Sequence, residues 1–299
     1  MKKLSYLAAV LFTVLVSCTD KNEFTATDSQ SVENEATTDA YFEDTDDMAT
    51  QAVLADNATT SGSRESSDIN GRSGIKPDDG RFACATVTLD FAADNSQSIP
   101  HGYITIDFGN GCADPRGNVR KGKIKVEFKG RKFLPGSSII TTLDGYFING
   151  VKIEGTRTVT NASASTLDHP KFNVVVTDGK ATWADGTSAT REAFRTLEWI
   201  RANSPVNDQW IISQTDGKTY VAAGTNRYGK TYQVTITKPL MYSRSCAISN
   251  RVFMPVQGTK VLTTESRAIT IDYGDGTCDK KVTITSNSKS ADVTINGDI

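Results

Sequence analysis

An all-β body, an antiparallel meander of about fourteen strands over residues 81–299, follows from three observations. Short runs rich in Val, Ile, Thr, Tyr and Phe alternate with polar residues. Gly, Asn and Asp punctuate these runs at close intervals. The connections between them are too short for the crossovers that parallel strands need. A body of 219 residues can hold one sizeable core. A sandwich and a rolled, partly closed barrel both satisfy the pattern.

In chain order, residues 1–17 come first. Lys2 and Lys3 precede a short apolar run, too brief to span a bilayer, which ends at Leu15-Val16-Ser17-Cys18. This is the layout of a cleavable export signal. Its end resembles the lipobox of bacterial lipoproteins, which implies a lipidated Cys18. Several acyl chains on that residue would hold the chain stably at a membrane. Asp20 and Glu23 follow and resemble, thinly, the surface-export signal of Bacteroidetes lipoproteins. The expected location is the outer membrane, with surface and periplasmic display both open.

Residues 18–80 are acidic. From Thr19 to Gly80, fifteen Asp and Glu face four Lys and Arg. With three aromatics, such a segment reads as a self-repelling, flexible tether. Within it, Asp46 and Asp47 precede Met48, Ala52 and Leu54, which predicts a short helix over 46–54.

The body inverts the balance, with twenty-seven Lys and Arg against twenty Asp and Glu. Ile124, Val126 and Phe128 alternate with Lys123, Lys125, Glu127 and Lys129, as in a half-buried strand. Asn149-Gly150 predicts a type I′ hairpin between Tyr146 and Ile153. Asp178-Gly179, Asp185-Gly186, Asp216-Gly217 and Tyr228-Gly229 predict further tight turns. Residues 188–201 fit a helical face through Phe194, Leu197 and Ile200. They also fit a strand, and the turn before them favours the strand.

Four cysteines remain beyond Cys18, in two frames. Cys84 leads to Ile104-Thr105-Ile106-Asp107-Phe108-Gly109-Asn110-Gly111-Cys112. Cys246 leads to Ile269-Thr270-Ile271-Asp272-Tyr273-Gly274-Asp275-Gly276-Thr277-Cys278. The shared ending marks an internal repeat. Four cysteines allow three pairings, and duplicated frames favour Cys84–Cys112 with Cys246–Cys278. A thiolate metal site lacks Cys-x-x-Cys spacing. Asp272, Asp275 and Asp279 could offer calcium oxygens, but Gly-Asx-Gly reads more simply as a tight turn.

Catalytic motifs are lacking: there is no Gly-x-Ser-x-Gly, His-Glu-x-x-His or phosphate loop. His101 and His169 each adjoin a proline and read as loop residues. Glu127, Glu154, Glu192, Glu198 and Glu265 are the only body glutamates from which a glycosidase pair could draw. Trp183, Trp199 and Trp210, with Lys123, Lys125 and Lys129, are the candidate ligand face. No cofactor or metal is implied. An exported chain with this face would meet an envelope glycan, an anionic lipid headgroup or a protein partner, and not nucleic acid.

Arg120-Lys121-Gly122-Lys123-Ile124, Asn149-Gly150-Val151-Lys152-Ile153-Glu154-Gly155-Thr156-Arg157-Thr158-Val159-Thr160 and Gly224-Thr225-Asn226-Arg227 together resemble uncharacterised lipoproteins of the Bacteroidetes. The resemblance implies lipoprotein architecture but no activity. The expected function is therefore a non-catalytic, lipid-anchored envelope protein with a binding body. A lipid-anchored glycan hydrolase and a purely structural envelope protein are the alternatives.

Overall fold

The computed structural model of the chain describes residues 26–60, 73–74, 79–162, 169–250, 252, 254–265 and 267–295. The export signal and Cys18 lie outside them. Among these residues, sixteen strands form one antiparallel sheet. They are β1 (Ser73–Gly74), β2 (Thr86–Phe91), β3 (His101–Asp107), β4 (Cys112–Ala113), β5 (Val119–Lys129), β6 (Ser138–Ile148), β7 (Val151–Asn161) and β8 (Lys171–Thr182). Then come β9 (Ser188–Ile200), β10 (Gln209–Gln214), β11 (Ala222–Thr225), β12 (Thr231–Ser243), β13 (Gln257–Thr264), β14 (Ala268–Asp275), β15 (Lys281–Ser286) and β16 (Lys289–Thr294). The strands pair in chain order, except that β4 laps onto β5, and β10 and β11 share the space between β9 and β12. β1 and β16 do not pair with each other, so the sheet is open rather than a closed barrel.

The predicted all-β meander is the observed class. The two strands beyond fourteen are the two-residue pieces β1 and β4. Residues 188–200 form β9, as the preceding turn implies. Asn149 and Gly150 join β6 to β7 with φ of 50° and 80°, the type I′ signature. One predicted turn is corrected. Asp178-Gly179 lies inside β8, where the register slips between Val176 and Gly179, so the pair forms a bulge.

The acidic segment is the larger correction. The expected tether, with a helix only over 46–54, is instead one helix, α1 (Ala26–Thr60), of 35 residues. At 1.5 Å per residue it is about 52 Å long. Val32, Glu35, Thr38, Tyr41, Phe42, Thr45, Met48, Ala49, Ala52 and Val53 are buried along it, at helical spacing. Thr38 and Thr45 donate their hydroxyls back to the carbonyls of Asn34 and Tyr41 at 2.8 Å, which satisfies them within the helix. Solvent and self-repulsion do not win here because the carboxylates have cations to meet.

The sheet curls around α1. Glu35 pairs with Lys260 on β13, and Asp44 pairs with Arg120 beside Gly122 on β5. Those strands stand seven steps apart in the sheet, about 34 Å if it were flat. Glu35 and Asp44 are about 13.5 Å apart along the helix axis. Only a strongly bent sheet brings both strands to so short a stretch. The bend uses bulges on adjacent strands, at Lys121/Lys123, Thr142/Phe147, Glu154/Thr156 and Val176/Gly179. Each slip holds a glycine. A Cβ at Gly122 would lie 2.0 Å from the Gly145 carbonyl oxygen. A Cβ at Gly179 would stand 2.4 Å from the Arg191 oxygen and 3.0 Å from Phe42 Cζ. Bulges raise local twist, and glycine lets the bent backbones touch. Phe42 fills the inside of the bend.

One apolar core runs from Val32 on α1 to Ile284 on β15. A satellite of Cys246, Val252 and Val256 packs under the helix α2 (Arg244–Asn250). None of the described helices is long and apolar enough to cross a membrane.

The two cysteine frames form the expected bridges, Cys84–Cys112 and Cys246–Cys278. Each cysteine pair brackets an antiparallel hairpin, β2–β3 in one case and β13–β14 in the other. The repeat extends to hydrogen bonding. Gly109 N–H donates to Asp107 at 2.8 Å, and Gly274 N–H donates to Asp272 at the same distance.

Two stability outcomes follow. The double variant Cys84→Ser/Cys112→Ser should lower unfolding stability by about 3–4 kcal/mol, the loop-closure value for a sequence separation of 28. Chemical denaturation read by circular dichroism checks it. Phe42→Ala should cost about 3–5 kcal/mol through the cavity left in the bend, readable in the same experiment.

Candidate functional site: charged interior and aromatic rim

Strand alternation aims five long cations at α1. In β9, Ala189, Arg191, Ala193 and Arg195 are buried, while Thr190, Glu192 and Thr196 face outward. Arg157 on β7, Lys260 on β13 and Arg120 on β5 are likewise buried. An unpaired cation inside a core is expensive, so each demands a carboxylate. The helix supplies them. Arg191 meets Glu35 at 3.2 Å and Asp39 at 2.5 Å; Lys260 meets Glu35 at 2.5 Å. Arg195 meets Asp39 at 3.4 Å and also Glu43. Arg157 meets Glu43 at 3.0 Å and Asp46 at 2.6 Å. Arg120 meets Asp44 at 2.9 Å and Asp114 at 2.5 Å. Arg81, just before β2, joins Asp44 at 3.0 Å, Asp79 at 2.6 Å and Asp47.

The electrostatics are consistent with full pairing. Burial alone would raise the Asp39 carboxyl, but Arg191, Arg195 and Lys260 outweigh it and lower it to about 2. Burial would also strip the charge from Lys260 and Arg191, yet the facing Glu35 and Asp39 hold both cations above their ordinary values. Burial raises the Tyr146 phenol, and Asp44 adds to the rise. The sheet interior is thus filled by the chain's own acidic helix. The pinched space left beside Phe42 and Arg157 is about 10 Å³, room for about one water at most.

The candidate ligand face does not assemble as one surface. Trp199 and Trp210 are cross-strand neighbours on β9 and β10, with rings stacked at 6.0 Å. Trp199 donates its indole N–H to buried Asp208 at 3.0 Å. Phe133 stands 5.5 Å from Trp199, and the Arg201 guanidinium lies over both rings, at 4.3 Å and 4.5 Å. Trp183 lies past the other end of β8 and is covered by Arg227 at 4.6 Å. Lys123, Lys125 and Lys129 occupy the face of β5 opposite to Ile124, Val126 and Phe128. Each is tied to a carboxylate: Lys123 to Asp107, Lys125 to Asp144 and Lys129 to Asp94, at 2.9, 2.7 and 3.3 Å. The lysine stripe is therefore a paired outer surface, and only Trp199 and Trp210 meet.

Of the glutamate candidates, Glu192 faces outward on β9 and the other four are engaged locally. Glu127 contacts His101 at 3.2 Å, Glu154 holds Lys152 at 2.7 Å, and Glu198 holds Lys171 at 3.3 Å and His169 at 3.2 Å. Glu265 accepts from Thr231 at 3.2 Å. These carboxylates answer to separate partners rather than to one another. His101 is not a loop residue but opens β3, with Asp94 at its other ring nitrogen. Asp272, Asp275 and Asp279 each cap their own turn, accepting from Gly274, Thr277 and Lys281 backbone N–H at 2.8, 3.1 and 3.0 Å. Among the described residues no group of three His, Cys, Asp or Glu is arranged to hold a metal.

The buried cations were readable in principle. Arg191 and Arg195 share register with Ala189 and Ala193, an alternation that puts charge on the core face. What hid the site is that their partners lie about 150 residues earlier, as for Arg191 and Asp39 at 152 positions.

No protein-family model, no curated protein and no solved structure matches the chain.

Acid should loosen the helix. Asp39 has its carboxyl lowered from 3.8 to about 2, so its contribution is complete above pH 4 and disappears as pH falls through 2. The loss is on the order of 2 kcal/mol. Denaturant midpoints measured between pH 5 and pH 2 should fall more steeply for the wild type than for Asp39→Asn.

Proposed function

We propose that the chain is a non-catalytic envelope protein of Bacteroidetes type. It is held at the outer membrane by lipid on Cys18, and its β body binds a ligand or partner. The observation that carries the binding reading is the rim cluster at the ends of β9 and β10, where Arg201 lies over Phe133 and Trp199 and Trp210 stacks on Trp199. Asp208 fixes the Trp199 ring through its indole N–H and holds the Ala202 backbone N–H at 3.0 Å, so the rim is pre-shaped. Preorganised aromatics lose little entropy on binding. The hydrolase alternative would use a cleft with paired carboxylates, whereas this interior is filled by α1 and its carboxylates are neutralised there.

The helix also alters how the body would hang from its anchor. Only seven residues separate Cys18 from Ala26, the first residue of α1. That leash reaches at most about 28 Å, so the body rides close to the membrane instead of on a tether of sixty residues.

Cell fractionation of the wild type and Cys18→Ala checks the anchor: the variant should leave the membrane fraction. Retention of the variant with membranes would refute it. Protease shaving of intact cells then decides display, with cleavage expected only for a surface-facing body.

A further inference from the structure

Lys132 and Arg201 differ from every buried cation described above. Arg81, Arg120, Arg157, Arg191, Arg195 and Lys260 each hold at least one carboxylate. Among the described residues, neither Lys132 nor Arg201 has a carboxylate partner. Both instead rest on rings. The Lys132 ammonium lies 5.8 Å from the Phe133 centroid and 5.7 Å from that of Phe172. Arg201 lies over Phe133 and Trp199, and its Nε, like those of Arg120 and Arg157, is buried without a hydrogen-bond partner. The two share Phe133 as a wall, and the Arg201 charge acts on the Lys132 ammonium across a partly desolvated rim.

That arrangement is costly unless something anionic completes it. Burial, with Arg201 adding to it, lowers the Lys132 ammonium to about 8, even though Asp46 and Asp47 pull the other way. Those two carboxylates are already committed to Arg157 and Arg81. The loop that carries Arg201 is fixed by Asp208, which binds both Trp199 and Ala202. The subsite is therefore built rather than incidental.

We propose that Lys132 and Arg201 form the anion-binding subsite for an acidic saccharide, whose carboxylate or sulfate meets the two cations while its ring packs against the aromatic rim. This rests on the binding reading above and names the ligand class. A planar guanidinium accepts a carboxylate or sulfate on two donors, and the ammonium adds a point charge. Aromatic walls suit the apolar face of a sugar ring better than they suit a free inorganic ion.

The test uses the full-length chain, titrated with oligogalacturonate, chondroitin sulfate oligosaccharide and neutral maltohexaose, read by tryptophan fluorescence and calorimetry. The acidic saccharides should bind at least tenfold more tightly than the neutral one, with affinity falling as salt rises. Lys132→Met and Arg201→Gln should each weaken acidic-saccharide binding at least tenfold, Lys132→Arg should restore most of it, and Lys123→Ser should change nothing. In the wild type, the Lys132 side-chain titration followed by NMR should move upward on saturation, a readout that does not depend on any variant folding. Maltohexaose binding equally well, with both variants unaffected, would overturn the anion subsite and leave the binding reading in place. Failure of the wild type to bind any acidic saccharide, or binding to phosphatidylglycerol vesicles in its place, would overturn the subsite as assigned.

Discussion

The structure depends on charge neutralisation inside a curved sheet. Five strand cations point inward where solvent cannot reach them, and one helix brings the carboxylates that make this tolerable. Within Ala26–Thr60 there are nine Asp and Glu and no Lys or Arg, so the helix is matched in sign to the surface that wraps it. Neither part makes sense alone. A helix of such charge repels itself along its length, and a sheet lined with guanidinium groups resists burial. Their union lets apolar contacts through Met48, Ala52 and Phe42 close around the same axis. Hydrophobic burial supplies the drive, and the ion pairs select one helix, one direction and one depth.

The strands were legible because their signals are local. The Asn149-Gly150 turn, the alternation in β5 and the repeated cysteine frames each lie within a few tens of residues, and each reads out the structure found. Asp178-Gly179 misleads because a dipeptide that makes a turn also makes a bulge, and only the neighbouring strand decides between them. Beyond the predicted 46–54 stretch, the helix was illegible for a different reason. Its buried stripe includes Glu35, Thr38 and Thr45, which any hydropathy reading scores as surface. Composition alone makes this segment resemble a disordered tether, and the cations that order it are distant in sequence. The candidate site is half legible: the sequence places Trp199 and Trp210 on a candidate ligand face, and the two rings do meet. Arg201 is not legible, because an arginine after a strand carries no signal until its place over Phe133 and Trp199 is seen.

The division of labour between faces follows from the same constraint. With the interior occupied, a ligand of the proposed kind would have only the rim and the outer surface to meet. The outer lysines of β5 are matched one by one with aspartates, which suits solubility and protection of strand faces more than capture of a ligand. The rim keeps positive charge unmatched.

The span between helix and sheet in sequence also has a meaning in time. Glu35 and Lys260 are 225 positions apart, so the last cation of the set emerges long after the helix that needs it. Topologies with such distant contacts fold slowly. During that interval the N-terminal segment is a polyanion whose set of cations is incomplete, which keeps it hydrated and discourages association with neighbouring chains. The first disulfide-bracketed hairpin, closed over a short stretch, can be secured while the rest waits. The same carboxylates thus serve twice, first as a solubilising leader for an unfinished chain and then as the keel around which the finished sheet is rolled.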